Sequence, residues 1–295
     1  MTNQEPQLRI AFGTLPINAG ETTRAVEIAS AVRDLAQNRG VHVDIRFFAS
    51  IYSEDQTASF EYLITAAGFD MKHVGKPITQ EQWREILQRE HDGKDYYTKD
   101  EIPRVKQDIL DTKAALQAYQ PTVVVHGFSY NVDAPNAAKL LGIPNAVFIP
   151  LPAFDAFLDN YFIDDFPDEA LDLGFWIFPR SVRKIMVRMV AKFSHNARNI
   201  CEAATQAGWP MRGRGRVQDL LSADLMLIND LPGNYKGMDF WTDDVVITGP
   251  VFPHNNDNES LRLESDPEIL RVFAPTNSHK IFVQMGSSGQ KAALL

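Results

Sequence analysis

The chain has 295 residues, 44% of them hydrophobic and 23% charged, a balance that excludes a disordered, collagen-like or low-complexity protein. Lys and Arg number 29 against 38 Asp and Glu, for a formal net charge of −9, the reverse of what a general nucleic-acid binder carries. One cysteine, Cys201, excludes an intrachain disulfide framework and a multi-cysteine zinc site, and its simplest reading is a reducing, cytoplasmic setting.

Residues Met1 to Leu8 lack the basic stretch and following apolar stretch of a secretory signal. No uninterrupted apolar run reaches the roughly 18–20 residues that span a bilayer. Strand-like runs then alternate with helical ones. Leu8–Phe12 is a short apolar run ending at Gly13, and Thr22–Gln37 follows with apolar residues at helical spacing and Gly40 placed to end it. Val41–Phe48 alternates as a strand. Ile102–Tyr119 reads as a helix, Thr122–Val125 as a strand, Val132–Leu141 as a helix and Ala146–Ile149 as a strand. Asp224–Ile228, Val245–Ile247 and Ile281–Val283 complete the strand-like runs. Strands feeding helices and returning to strands imply an α/β fold built on a doubly wound, parallel, Rossmann-like sheet.

Charge is placed unevenly. Asp155 to Asp172 holds seven acidic residues and no basic one, whereas Leu173 to Cys201 holds six basic residues and no acidic one. The second stretch interleaves Arg180, Arg183, Lys184 and Arg188 with Phe175, Trp176, Ile185 and Met189. Its plain reading is a helix packing inward and pairing with the acidic loop. Weak contact of 174–198 with an anionic membrane surface, or an acidic ligand, are the alternatives. The polar stretch from Pro250 to Ser278 has the composition of a linker. Lys280–Val283 and the turn Gly286-Ser-Ser-Gly289 then open a second unit, of which six residues follow.

Five fragments, in order, resemble the family 1 glycosyltransferases, the UDP-glycosyltransferases and antibiotic-type sugar transferases. They are Ile10–Ala25, Pro121–Pro144, Ser222–Pro232, Val246–Val251 and Ile281–Gly289. The resemblance implies a GT-B architecture, in which 1–250 is an acceptor-binding Rossmann-like domain and 251–279 an interdomain linker. Residues 280–295 are then the first strand and turn of an incomplete, truncated nucleotide-sugar-binding domain. It also implies transfer of a sugar from a UDP- or other nucleotide-sugar to a hydroxyl of a small apolar acceptor, with no cofactor beyond that co-substrate. The nucleotide-sugar is expected to bind only with a complete donor domain, so this chain alone is expected to be inactive.

In the family a His of the first loop takes the acceptor's proton and an Asp at the end of a later strand orients it. Aligned residue by residue, these positions fall on Glu21 and His126, so both family residues are replaced. Three readings are open: a dyad with base and orienter exchanged, an inert domain in which Glu21 is a first-turn helix residue and His126 a strand-end residue, or an alignment shifted by one. Gly286, Ser287 and Ser288 match the turn beside the donor's diphosphate, where small residues let backbone N–H groups approach phosphate. Phe128, Phe154 and Phe157 belong to an aromatic-rich stretch after the fourth and fifth predicted strands that fits an apolar acceptor. The histidines show no metal-ligand spacing, so no metal site is expected. A non-catalytic module binding a ligand or partner, and the acceptor half of a split glycosyltransferase with its donor domain on a separate polypeptide, stand as alternatives.

Overall fold

A computed structural model describes residues 8–50, 52, 59–92, 94, 97–127, 132–149, 179, 182, 198–209, 223–230 and 244–251. Seven strands among them form one parallel sheet. They are β1 (Leu8–Thr14), β2 (Val43–Ala49), β3 (Asp70–His73), β4 (Val123–Gly127), β5 (Asn145–Ile149), β6 (Leu225–Ile228) and β7 (Val245–Ile247), in the spatial order β3-β2-β1-β4-β5-β6-β7. Helices α1 (Ala19–Asn38) and α2 (Glu61–Ala66) lie on one face. Helices α4 (Ile102–Tyr119) and α5 (Asp133–Leu141) lie on the other, with α3 (Gln80–His91) and α6 (Arg198–Gln206) packed outside them.

The alternation of side chains along a strand divides the core in two. Ile10, Phe12, Ile45, Phe47, Val125 and Phe148 meet Ala25, Val26 and Ala29 of α1, with Phe12 stacked on Phe47 at 5.1 Å between centroids. Ala11, Phe48 and Val124 meet Ala115, Leu116 and Tyr119 of α4 and Ala134, Ala137 and Ala138 of α5. The central strands β1, β4 and β5 are covered on both faces, which is why they read as near-continuous apolar runs.

Local signals end the helices where expected. After α1, Gly40 takes φ 66°, its N–H donates to Gln37 O, and the Val41 N–H donates to Ala36 O, the paired closure in which glycine carries the left-handed residue. Gly142 closes α5 in the same way, through Ile143 N–H to Ala138 O. All six strand expectations and all three helix expectations within the described residues correspond to elements, with ends that coincide or are displaced by at most three residues. The structure adds α2, β3, α3 and α6. β3 reads Asp-Met-Lys-His and is exposed at three of its four positions, so an edge strand of this kind carries no apolar pattern to detect.

Residues 252–279 of the expected linker and 280–295 of the expected second unit lie outside the described residues, as does 174–198 apart from 179, 182 and 198. No helix among the described residues is long and apolar enough to cross a membrane.

Candidate active site

Strand order reverses between β1 and β4: from β1 the chain moves outward to β2 and β3, then returns to β4 on the other side. The C-terminal ends of those two strands are the switch point, where doubly wound sheets place a ligand-binding crevice. Glu21 reaches this crevice from the first turn of α1. Asn18 caps that helix, its side-chain oxygen accepting from the Glu21 N–H at 3.2 Å, while the Thr22 hydroxyl donates to Asn18 O at 2.9 Å. A carboxylate here is favoured by the positive end of the helix dipole. Glu21 is nonetheless buried, at 3% exposure.

The side chain of Glu21 lies over the α-carbon of Gly127, the last residue of β4. A Cβ at that glycine would come within 2.7 Å of Glu21 Cδ and 2.9 Å of Oε1. His126 precedes Gly127 on the same strand, so its side chain leaves from the opposite face. That face is the one covered by α4 and α5: His126 is in register with Gly13, whose would-be Cβ faces Ala134 of α5 and His126 Cβ. The fold thus brings Glu21 to position 127 and turns the His126 ring away, beneath α5. The residue facing Glu21 is a glycine, one position along from the histidine that the alignment paired with it.

His126 is fully buried. Its Nδ1 lies 3.2 Å from Gly127 O, a contact that assigns the ring proton to Nδ1, and Nε2 has no hydrogen-bond partner among the described residues. Burial pulls its pKa down to about 4, helped by the Lys139 charge and opposed by the Gly127 carbonyl and the Asn145 side chain. The ring is neutral at neutral pH.

A second polar group flanks the crevice on the α4–α5 side. Asp133 opens α5, Ser50 follows β2, and Asp108, Arg104 and Tyr97 come from α4 and the turn before it. Arg104 Nη1 donates to Asp108 Oδ2 at 2.9 Å and its guanidinium lies 5.3 Å from the centre of the Tyr97 ring. The Lys76 N–H donates to Asp108 Oδ1 at 3.4 Å. Burial raises the Asp133 pKa to about 7, with the Asp108 charge adding and the Ser50 hydroxyl and Arg104 opposing. Burial likewise raises Asp108 to about 6 against the Arg104 charge. These residues escaped the sequence reading, although Arg104 and Asp108 stand at helical i,i+4 spacing and Thr98-x-x-Glu101 is a legible capping box.

Phe128, Phe154, Phe157, Gly286, Ser287 and Ser288 lie outside the described residues. Among the described residues no group of three His, Cys, Asp or Glu side chains is arranged to hold a metal ion.

No family model matches the sequence, and no curated protein matches it. Solved structures do. Spinosyn forosaminyltransferase SpnP superposes with a TM-score of 0.50 at 14% identity, over 97% of this chain and 60% of that one. The fold is that of the GT-B glycosyltransferases. The glycosyltransferase of kitacinnamycin follows with a TM-score of 0.48 at 14% identity, over 85% of this chain and 53% of its own. A UDP-glucosyltransferase from Polygonum tinctorium gives 0.48 at 12% identity, over 90% and 57%. This chain thus spans about half to three-fifths of the length of the glycosyltransferases it superposes on. At such identities the likeness establishes the fold alone.

Proposed function

We propose that this chain is the acceptor-side part of a glycosyltransferase, transferring a sugar from a nucleoside-diphosphate sugar to a hydroxyl of a small apolar acceptor. The observation that carries the reading is the buried carboxylate of Glu21 at the switch point of this fold. In the proposed reaction the acceptor oxygen attacks the sugar's anomeric carbon, the bond from that carbon to the diphosphate breaks, and Glu21 takes the hydroxyl proton. His126 is then a positioning residue. Neutral and buried, it holds the Gly127 carbonyl at the strand end on which Glu21 rests.

Phe128, Phe154 and Phe157 are proposed to line the acceptor side, and Gly286, Ser287 and Ser288 to meet the donor's diphosphate. The rest of the donor site is proposed to come from chain beyond these residues or from a separate polypeptide. A cytoplasmic setting fits the single buried thiol of Cys201.

A non-catalytic module that binds a ligand or partner is the second reading. The test is a transfer assay on the chain, alone and with the donor-side part, using a panel of nucleoside-diphosphate sugars and hydroxylated aromatic acceptors. Mass spectrometry reads the added sugar. Glu21→Gln is expected to lower turnover by about 10²–10⁴-fold while acceptor binding persists. Acceptor binding without transfer for every donor would establish the binding module instead.

A further inference from the structure

We propose that the cleft between the last turns of α4 and the face of β1, β2 and β3 beneath it binds a small phosphate ester of a polyhydroxylated molecule. The cleft holds about 300 Å³ and is lined by Arg9, Asp44, Arg46, Phe48, Lys72 and Tyr119, the lower end of the range for small-molecule sites. Strand register explains why these residues meet. Arg9 pairs with Asp44, Ala11 with Arg46, Arg46 with Asp70 and Phe48 with Lys72, and alternate positions share the α4 face. Above them α4 offers Tyr119 and the small Ala115 and Ala118, which leave space over β2 and β3.

The chain carries a net charge of −9, yet three of the four charged residues lining this cleft are cations. Arg46 has one orphaned donor. Its guanidinium lies 4.8 Å from the centre of the Tyr119 ring and its Nη2 is 4.0 Å from Asp70, which is 85% exposed. Its Nε is buried with no acceptor among the described residues. The Tyr119 hydroxyl is already committed, donating to Asp44 O at 3.0 Å, and so holds the ring under the guanidinium. A phosphate oxygen is the acceptor such a fork recognises best, with Arg9 and Lys72 converging on the same anion. Asp44 lines the same space and would repel a bare anion filling it. A carboxylate accepts from hydroxyls, so the organic portion facing it carries them. A hexose phosphate has this chemistry and size.

The site stands apart from Glu21 and Gly127. Its residues lie on β1, β2 and β3 and on the last turns of α4, whereas Glu21 meets Gly127 at the end of β4. The proposal is therefore independent of sugar transfer.

Calorimetric titration of the chain with glucose 6-phosphate tests it, with glucose and inorganic phosphate as controls. Saturable binding is expected that weakens as salt is added, with phosphate weaker than the ester and glucose giving no heat. Arg9→Gln and the exposed Lys72→Gln should each weaken it by about tenfold, while Glu21→Gln and Ser287→Ala leave it unchanged. No saturable heat, or affinity unmoved by Arg9→Gln and Lys72→Gln, would overturn the proposal. Loss of binding in Ser287→Ala alone would also overturn it, by moving the anion to the Gly286–Gly289 turn.

Discussion

Glu21 and Gly127 are locked together by the absence of a side chain: the glutamate occupies the space that any Cβ at 127 would fill. The contact joins the first turn of α1 to the end of β4, across the point where strand order reverses. Because Gly127 follows His126, the same contact determines that His126 faces α5.

Gly127→Ala should therefore displace the Glu21 carboxylate. The glutamate side chain is long and can yield, so the cost in stability is expected at the low end of overpacking, about 1 kcal/mol. Any transfer activity that depends on Glu21 should fall much further than stability does. Urea denaturation and the transfer assay, run on the same variant, separate the two effects. Equal activity in Gly127→Ala and the parent would show that the position of Glu21 is immaterial.

Gly13→Ala is the harsher counterpart. Its Cβ would overlap Ala134 Cβ on α5, with His126 Cβ at 3.6 Å on the other side. Neither neighbour has a flexible end to move aside, so α5 itself must shift. The loss is expected at about 3 kcal/mol, clearly above that of Gly127→Ala. A smaller loss than at Gly127 would contradict the close packing of α5 on β1.

Asp133 and His126 should impose opposite pH slopes on stability. Asp133 has its pKa raised to about 7, above the roughly 3.9 of an unfolded aspartate. The folded state thus retains a proton that the unfolded chain releases. Its contribution is complete below about pH 4 and is lost as pH rises to 7. His126 is depressed to about 4, below the roughly 6.5 of an unfolded histidine. Its contribution is complete above about pH 6.5 and is lost as pH falls to 4. Each retained or excluded proton gives a slope of at most about 1.4 kcal/mol per pH unit. Between pH 4 and 6.5 the two oppose each other. Asp108, raised to about 6, adds a second falling slope, so stability of the parent should fall with pH over that window, less steeply in Asp133→Asn and more steeply in His126→Leu. Denaturation midpoints across the window check both signs.

Asp224 joins the N-terminal ends of β5 and β6. Its Oδ2 accepts from the Asn145 backbone N–H at 2.8 Å and from Asn145 Nδ2 at 3.2 Å. Asp224→Ala removes the acceptor of both and is expected to cost about 1–3 kcal/mol, measured by thermal or urea unfolding. A change within about 0.5 kcal/mol would mean that water replaces the carboxylate without loss.

Much of the architecture was legible in the chain itself. Short apolar runs such as Ala146–Ile149 mark strands buried on both faces, and Gly40 and Gly142 mark helix ends, because these are local consequences of burial and backbone conformation. The order of such runs was enough to indicate a doubly wound parallel sheet, and five sequence fragments carried the resemblance to glycosyltransferases whose fold the structure shares. β3 and α3 were not legible: Asp70–His73 and Gln80–His91 are mostly polar, and their places come from packing against β2 and α4 rather than from a pattern of their own.

The candidate site divides along the same line. Glu21 could be placed at a helix start beside a strand end from sequence alone. Which residue of β4 faces it could not, because a strand has period two and one residue of register moves every side chain to the other face. Only the folded sheet puts Gly127 under Glu21 and His126 under α5. Likewise, Asp108 and Asp133 are 25 residues apart in the chain. Their raised pKa values arise only when α4 and α5 pack together and exclude water. Likewise Arg9, Arg46 and Lys72 are scattered surface charges until three parallel strands set them on one face.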